Sequence, residues 1–260
     1  MAETTELVDS SGMRTPARGS PGHMLFRCAL TRRQPLGLAI VTAAPAKTDV
    51  NAAPQPASWA YAEDFVAESE AAAQAREAAV PLGVSPLGRG SASALTFLAT
   101  VVRARAVVEI GTGSGVSGLA LFAGMAPDGI LTSIDIEPEH QRAARRAFLS
   151  VGVPTQRFRL IAGAALNVLP RLSDGAYDLV FIDADKVEYP AYVEQGIRLL
   201  RSGGILAVDN ALRRDRVAEP SDDDDEVLAI RDALGMVADD ESLCPALLPV
   251  GDGLLVAVKV

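Results

Sequence analysis

Histidine and cysteine are scarce in this chain. Its 260 residues hold two of each, His23 and His140, Cys28 and Cys244. A zinc centre or a Ser-His-Asp triad is therefore poorly supplied, and two cysteines so far apart make no disulfide framework. Basic residues are outnumbered, 24 against 33 acidic ones, for a formal charge of −9. That balance argues against a general nucleic-acid binder and against a partner of anionic membranes. Long apolar runs are also missing: none reaches the ~18 residues needed to span a bilayer.

What is present divides at about residue 55. Residues 1–55 hold Pro16, Pro21, Pro35, Pro45 and Pro54 among scattered Gly, Ser and Arg. No helical or strand period persists there, so a disordered extension is expected. Arg32-Arg33 stand before the apolar stretch Leu36 to Ala44, a faint likeness to a twin-arginine export signal. Pro35 and Thr42 interrupt it, and it lies well inside the chain. A cytoplasmic protein is the expectation. Residues 56–260 are read as one domain.

The domain is organised around Ala106 to Gly118. An apolar run, Ala106–Ile110, ends in Gly111, Gly113 and Gly115, and an apolar helical pattern follows. That is strand, tight turn, helix. Glycines there let a ligand approach the backbone, and the free N–H groups of the helix start face it. Gly113-x-Gly115-x-x-Gly118 alone fits a dinucleotide fingerprint. Glu109 sharpens the reading: a carboxylate beside the turn would repel a pyrophosphate and welcome a ligand carrying ammonium and sulfonium centres, such as S-adenosylmethionine. Twenty residues past Gly115, the apolar run from Ile130 ends in Asp135. An acid there can accept both hydrogen bonds of a ribose diol.

Before this centre, helices are expected over Ser58 to Ala79, with Phe65, Val66 and Ala73 on one face, and over Ser91 to Val102. After it, strands and helices alternate: a strand Arg157–Ala162, a short helix Ala165–Leu172, a strand Tyr177–Ile182, a helix from Tyr189 to Arg201 ended by Gly203-Gly204, and a strand Ile205–Val208. Such alternation implies a parallel sheet with helices on both faces. A helix from about Ser221 to Gly235 follows. Then Leu243–Val250 and Gly253–Val260, parted by Gly251-Asp252, read as a hairpin. The expected fold is α/β: a doubly wound, Rossmann-like sheet of seven strands, mostly parallel, with a C-terminal antiparallel hairpin.

Two strands end in acids. Tyr177–Ile182 runs into Asp183-Ala-Asp-Lys186, and Ile205–Val208 into Asp209-Asn210. Ligands of open parallel sheets sit beyond the carboxyl ends of the strands. Asp183, Asp209 and Asn210 would converge there, and two carboxylates with an amide oxygen suit Mg²⁺, Mn²⁺ or Ca²⁺.

These motifs together resemble the cation-dependent O-methyltransferases of the caffeoyl-CoA and catechol type. The residues carrying the resemblance are Glu109-Ile-Gly-Thr-Gly-Ser-Gly115, Asp135, Gly163-Ala-Ala165, Asp183-Ala-Asp-Lys186 and Asp209-Asn210, and it covers roughly residues 60–260. By that resemblance Glu109, Gly111, Thr112, Gly113, Ser117, Asp135 and Ile136 would line an S-adenosylmethionine site. Leu87 and Ala165 would add apolar or backbone contacts, and Asp185 would face the cofactor. Asp183, Asp209 and Asn210 would hold the cation, with Asp183 also close to the substrate. A homodimer is implied as well. Arg214 stands where the plant-type enzymes carry a substrate-side asparagine, so a caffeoyl-CoA acceptor is not implied. Arg213, Arg214 and Arg216 either meet an anionic acceptor or are solvated loop residues. The expected reaction is methyl transfer to one of two adjacent aromatic hydroxyls, assisted by the cation, with Lys186 as general base. The rival roles are a salt bridge for Lys186, and for the whole chain an NAD(P)-dependent oxidoreductase or a non-catalytic cofactor-binding module.

Overall fold

The computed structural model describes residues 56–260. The expected N-terminal extension and the Arg32-Arg33 segment lie outside the described residues.

Seven strands form one sheet: β1 (Ala106–Ile110), β2 (Ile130–Asp135), β3 (Phe158–Ala162), β4 (Tyr177–Ile182), β5 (Leu200–Val208), β6 (Leu243–Leu248) and β7 (Leu254–Lys259). Their order is β3-β2-β1-β4-β5-β7-β6. The first five are parallel, and β7 runs antiparallel between β5 and β6. Strand order reverses between β1 and β4, which is where such sheets open a ligand crevice.

The period-2 alternation of the strands feeds two cores. Val107, Leu131, Leu179 and Phe181 pack on one side with Leu95, Leu121 and Phe148. Val108, Ile110, Val180 and Ile182 pack on the other with Tyr189, Val193, Ile230 and Val237. The first layer is built by α2 (Glu70–Ala79), α3 (Arg89–Val101), α4 (Val116–Gly124) and α5 (Pro138–Ser150). The second is built by α7 (Tyr189–Leu199) and α8 (Asp225–Asp239), with the short α6 (Ala165–Val168) at its edge. Both faces of β4 are covered, hence its unbroken apolar run. Each fully buried leucine or phenylalanine contributes about 1.5–3 kcal/mol.

Several boundaries differ from the sequence expectation. The single helix over Ser58 to Ala79 is two, α1 (Pro56–Glu63) and α2, because the Ser69 hydroxyl accepts Ala72 N–H at 3.2 Å and starts a new helix. Phe65 and Val66 fall in the break and are exposed; the buried face of α2 is Ala75 and Ala79. Gly203-Gly204 do not end α7. They lie inside β5, in an irregularity: Leu200 pairs with Tyr177 and Ile205 with Leu179, so the extra residues loop out, with Gly203 at φ +76°. The last helix begins at Asp225, where the Asp224 carboxylate accepts Glu226 N–H at 3.1 Å, and it runs through Gly235 to Asp239.

Candidate active site

The site is laid out by backbone bonds that continue the sheet one step past each strand end. Gly163 N–H donates to Asp135 O, Gly111 N–H to Ile134 O, Asp183 N–H to Ile110 O and Asp209 N–H to Ile182 O, all at 2.8–3.0 Å. The post-strand residues of β3, β1, β4 and β5 therefore stand side by side. Gly111 has to be glycine: its φ is +94°, and a Cβ there would sit 1.9 Å from Asp183 O. Gly115, at φ +96°, starts α4 with its Cα facing Ala144, where a Cβ would come within 2.8 Å of the helix backbone.

Two clefts flank this row. The larger, about 310 Å³, is lined by Gly111, Gly113, Asp135, Ile136, Ala165, Asp183 and Asp185, joined by Val84, His140, Gly163, Glu188 and Tyr192. The smaller, about 70 Å³, is lined by Leu87, Thr112, Ser117 and again Gly111, Gly113 and Asp183. Ten of the expected side chains or glycines thus line these two clefts, which share Gly111, Gly113 and Asp183. Glu109 does not line either cleft.

Glu109 is fully buried beneath the turn. The Ser117 hydroxyl donates to one of its oxygens at 2.7 Å and the Ser133 hydroxyl to the other. Burial pushes its pKa up from 4.5 to about 7; the two hydroxyls work against that, while Asp183 and Asp135 add to it. The carboxyl group ties β1, β2 and α4 together.

Asp135 is already engaged. One oxygen accepts Thr112 N–H at 2.9 Å and Gly113 N–H at 3.0 Å, the other accepts Glu137 N–H at 2.9 Å. His140 Nδ1 lies 3.1 Å from both oxygens. The acid thereby shapes the glycine turn. His140 escaped the sequence reading; its one signal was a lone histidine in the first turn of the helix after Asp135. Glu188 and Tyr192, hydrogen-bonded to each other, form a wall that no sequence motif marks.

At the other end, Lys186 Nζ donates to Asp183 Oδ1 and to Ala184 O, both at 3.0 Å, and lies 4.8 Å over the Tyr189 ring. In this structure Lys186 is thus salt-bridged to Asp183, a partner that the rival salt-bridge reading, which looked to Asp185 or Glu188, did not name. Asp185 instead accepts Val187 N–H at 3.1 Å. Asp209 is buried, and its Oδ1 has no hydrogen-bond partner among the described residues. Burial and the neighbouring Asp183 push its pKa up from 3.8 to about 8, against the pull of Lys186. Asn210 takes a left-handed backbone, φ +54°, and its amide nitrogen donates to Asp252, which leaves the amide oxygen free to face another group.

A buried, unpartnered carboxylate oxygen beside a second carboxylate fits a cation. Among the described residues no three His, Cys, Asp or Glu side chains form a metal-holding group; the expected donor set has only two carboxylates, with an amide as third. The arginines after Asn210 separate. Arg213 pairs with Glu226, and Arg216 with Asp222 at 2.7 Å and Asp224 at 3.3 Å. Arg214 is exposed, and its backbone N–H is bound by Asp252.

A reversed last strand, a glycine turn after β1 and an acid after β2, gathered at the topological switch, define a Rossmann-like methyltransferase fold. Comparison with known proteins narrows this. The O-methyltransferase family model matches residues 62–260. A Mycobacterium tuberculosis protein named "Probable O-methyltransferase" is 48% identical over 219 residues, 83% of this chain and 98% of that one. Among solved structures, a Corynebacterium glutamicum protein superposes with a TM-score of 0.72 at 32% identity, covering 77% of this chain and 94% of its own. The O-methyltransferase TomG of Streptomyces achromogenes, solved in complex with S-adenosylmethionine, gives 0.71 at 26%, covering 80% and 100%. The chain belongs to the O-methyltransferase family.

Proposed function

We propose that this enzyme moves a methyl group from S-adenosylmethionine to a hydroxyl of a small catechol-like or phenolic acceptor, with the help of a divalent cation, Mg²⁺ first among the candidates. The observation that carries the reading is the row of post-strand residues: the glycine turn that would hold the donor and the Asp183–Asp209 pair that would hold a cation share Asp183 and are one strand apart.

When bound, the donor supplies a methyl on a sulfonium, and the cation supplies a Lewis acid that lowers the pKa of the acceptor hydroxyl. The chain's own residues do the rest. Asp135, with His140 beside it, presents oxygens to a ribose diol at the end of β2. Gly111 and Gly113 would let the donor lie against the backbone, and Ile136 and Ala165 would supply apolar surface to it. Leu87, Thr112, Ser117 and Asp185 would line the rest of the donor's site. Glu109, below the turn, favours a cationic ligand above it. Asp183, Asp209 and the amide oxygen of Asn210 would hold the cation, and Asp183 would also face the acceptor. Lys186, once its Nζ has given a proton to solvent and stands as the neutral amine, would take the hydroxyl proton. Arg214, the loop arginine whose side chain is tied to no carboxylate among the described residues, would meet the acceptor's outer edge. A homodimer in the cytoplasm completes the reading.

The test is a panel of catechols, flavonoids and acyl-CoA phenols with labelled donor. Transfer to a vicinal diol should stop in EDTA and return with Mg²⁺. Undiminished transfer in chelator would refute the cation, and retention of S-adenosylhomocysteine without transfer to any hydroxyl would favour a binding module.

A further inference from the structure

Four of the five non-glycine residues with positive φ among the described residues fall together: Asn210, Arg213, Arg214 and Asp215; the fifth is Arg103. Left-handed backbone at such residues persists only where the surroundings impose it. The surroundings here are one turn, Gly251-Asp252-Gly253, at the tip of the β6–β7 hairpin.

Asp252 holds the segment at three points. Its Oδ2 accepts the Asn210 side-chain amide at 3.3 Å, its Oδ1 accepts Arg214 N–H, and its backbone oxygen accepts Leu212 N–H at 2.9 Å. Gly253 O adds Ala211 N–H at 2.9 Å. Gly253 fits only as glycine, since its φ is +83° and a Cβ would lie 2.5 Å from Leu212 Cγ. The turn is anchored from behind too. Glu63, at the end of α1, accepts Gly251 N–H with one oxygen and Gly90 N–H, at 2.8 Å, with the other.

We infer that Asp252 is a positioning residue of the cation site: by engaging the nitrogen of the Asn210 amide and fixing the strained 210–215 backbone, it aims the amide oxygen at the Asp183–Asp209 pair before any cation arrives. Both of its carboxylate oxygens are taken by Asn210 and Arg214, so it acts through Asn210. This role rests on the cation reading above. It also assigns work to a hairpin far along the chain from Asn210.

The test is Mn²⁺ binding, followed by electron paramagnetic resonance on the full chain in the presence of S-adenosylhomocysteine, for wild type, Asp252→Ala and Asp252→Asn. Losing charge-assisted bonds to the loop should weaken Mn²⁺ by about tenfold in Asp252→Ala, with S-adenosylhomocysteine affinity unchanged. Asp252→Asn keeps the shape and one acceptor, and should fall between; should the alanine variant not fold, the asparagine variant decides. In EDTA, amide hydrogen exchange of residues 210–217 should be faster in the variants than in wild type. A variant that folds and binds Mn²⁺ as tightly as wild type overturns the positioning role, as does weakened binding with unchanged exchange in EDTA. A wild type that takes up no Mn²⁺ overturns the cation reading itself.

Discussion

Replacing Glu109 by glutamine isolates the charge beneath the glycine turn. In the folded chain this carboxyl is fully buried and its pKa is raised from 4.5 to about 7, burial being the main cause. The unfolded chain therefore gives up its proton first. Between pH 4.5 and about 7 the folded state holds more protons, so stability falls as pH rises through that window and levels off above it. At about 1.4 kcal/mol per pH unit, the fall is on the order of 3 kcal/mol. Below the window the neutral acid is the folded form, and the Ser117 and Ser133 hydroxyls remain its partners. Glutamine has nearly the same shape and no proton to lose. Urea unfolding of wild type and Glu109→Gln, without donor, from pH 5 to 8.5 measures the difference, in which other titrating groups cancel. The variant should gain about 3 kcal/mol relative to wild type across the window. Parallel profiles would refute the argument, since they would mean that Glu109 titrates alike in both states.

Two further outcomes test the site. Gly111→Ala forces a Cβ toward Asp183 O on a left-handed backbone; strain and overpacking together should cost about 2–5 kcal/mol and abolish S-adenosylhomocysteine binding, and an unchanged melting temperature with normal binding would contradict the built geometry. Lys186→Ala should leave S-adenosylhomocysteine affinity intact and lose at least about a hundredfold in turnover, the scale of general-base catalysis; wild-type-like turnover would remove the assignment of Lys186 as base.

Much of the site was legible because strand ends announce themselves. Ala106–Ile110 and Tyr177–Ile182 are apolar runs closed by glycine or aspartate, and both strands have the expected bounds. Helix limits were less legible where side chains cap the backbone, as Ser69 and Asp224 do, because caps compete with the apolar period that marks a helix. Gly203-Gly204 misled because a glycine pair marks a helix end and a bulge equally well. His140 carries no motif, yet it stands 3.1 Å from Asp135, and only the first turn of α5 folding back over the end of β2 brings it there.

The order of strands and helices, the glycine turn and the acids at the carboxyl ends of β1, β2, β4 and β5 were determined by the sequence alone, since periodicity and turn chemistry are local. The fate of each acid was decided by tertiary structure. Glu109 went under the turn between two serines, Asp135 was tied to the loop it supports, Asp209 was left with a bare buried oxygen, and Asp252 was brought across from a distant hairpin to Asn210. Burial and hydrogen-bond partners set what a carboxylate can do, and both come from chain segments that lie far apart until the sheet assembles.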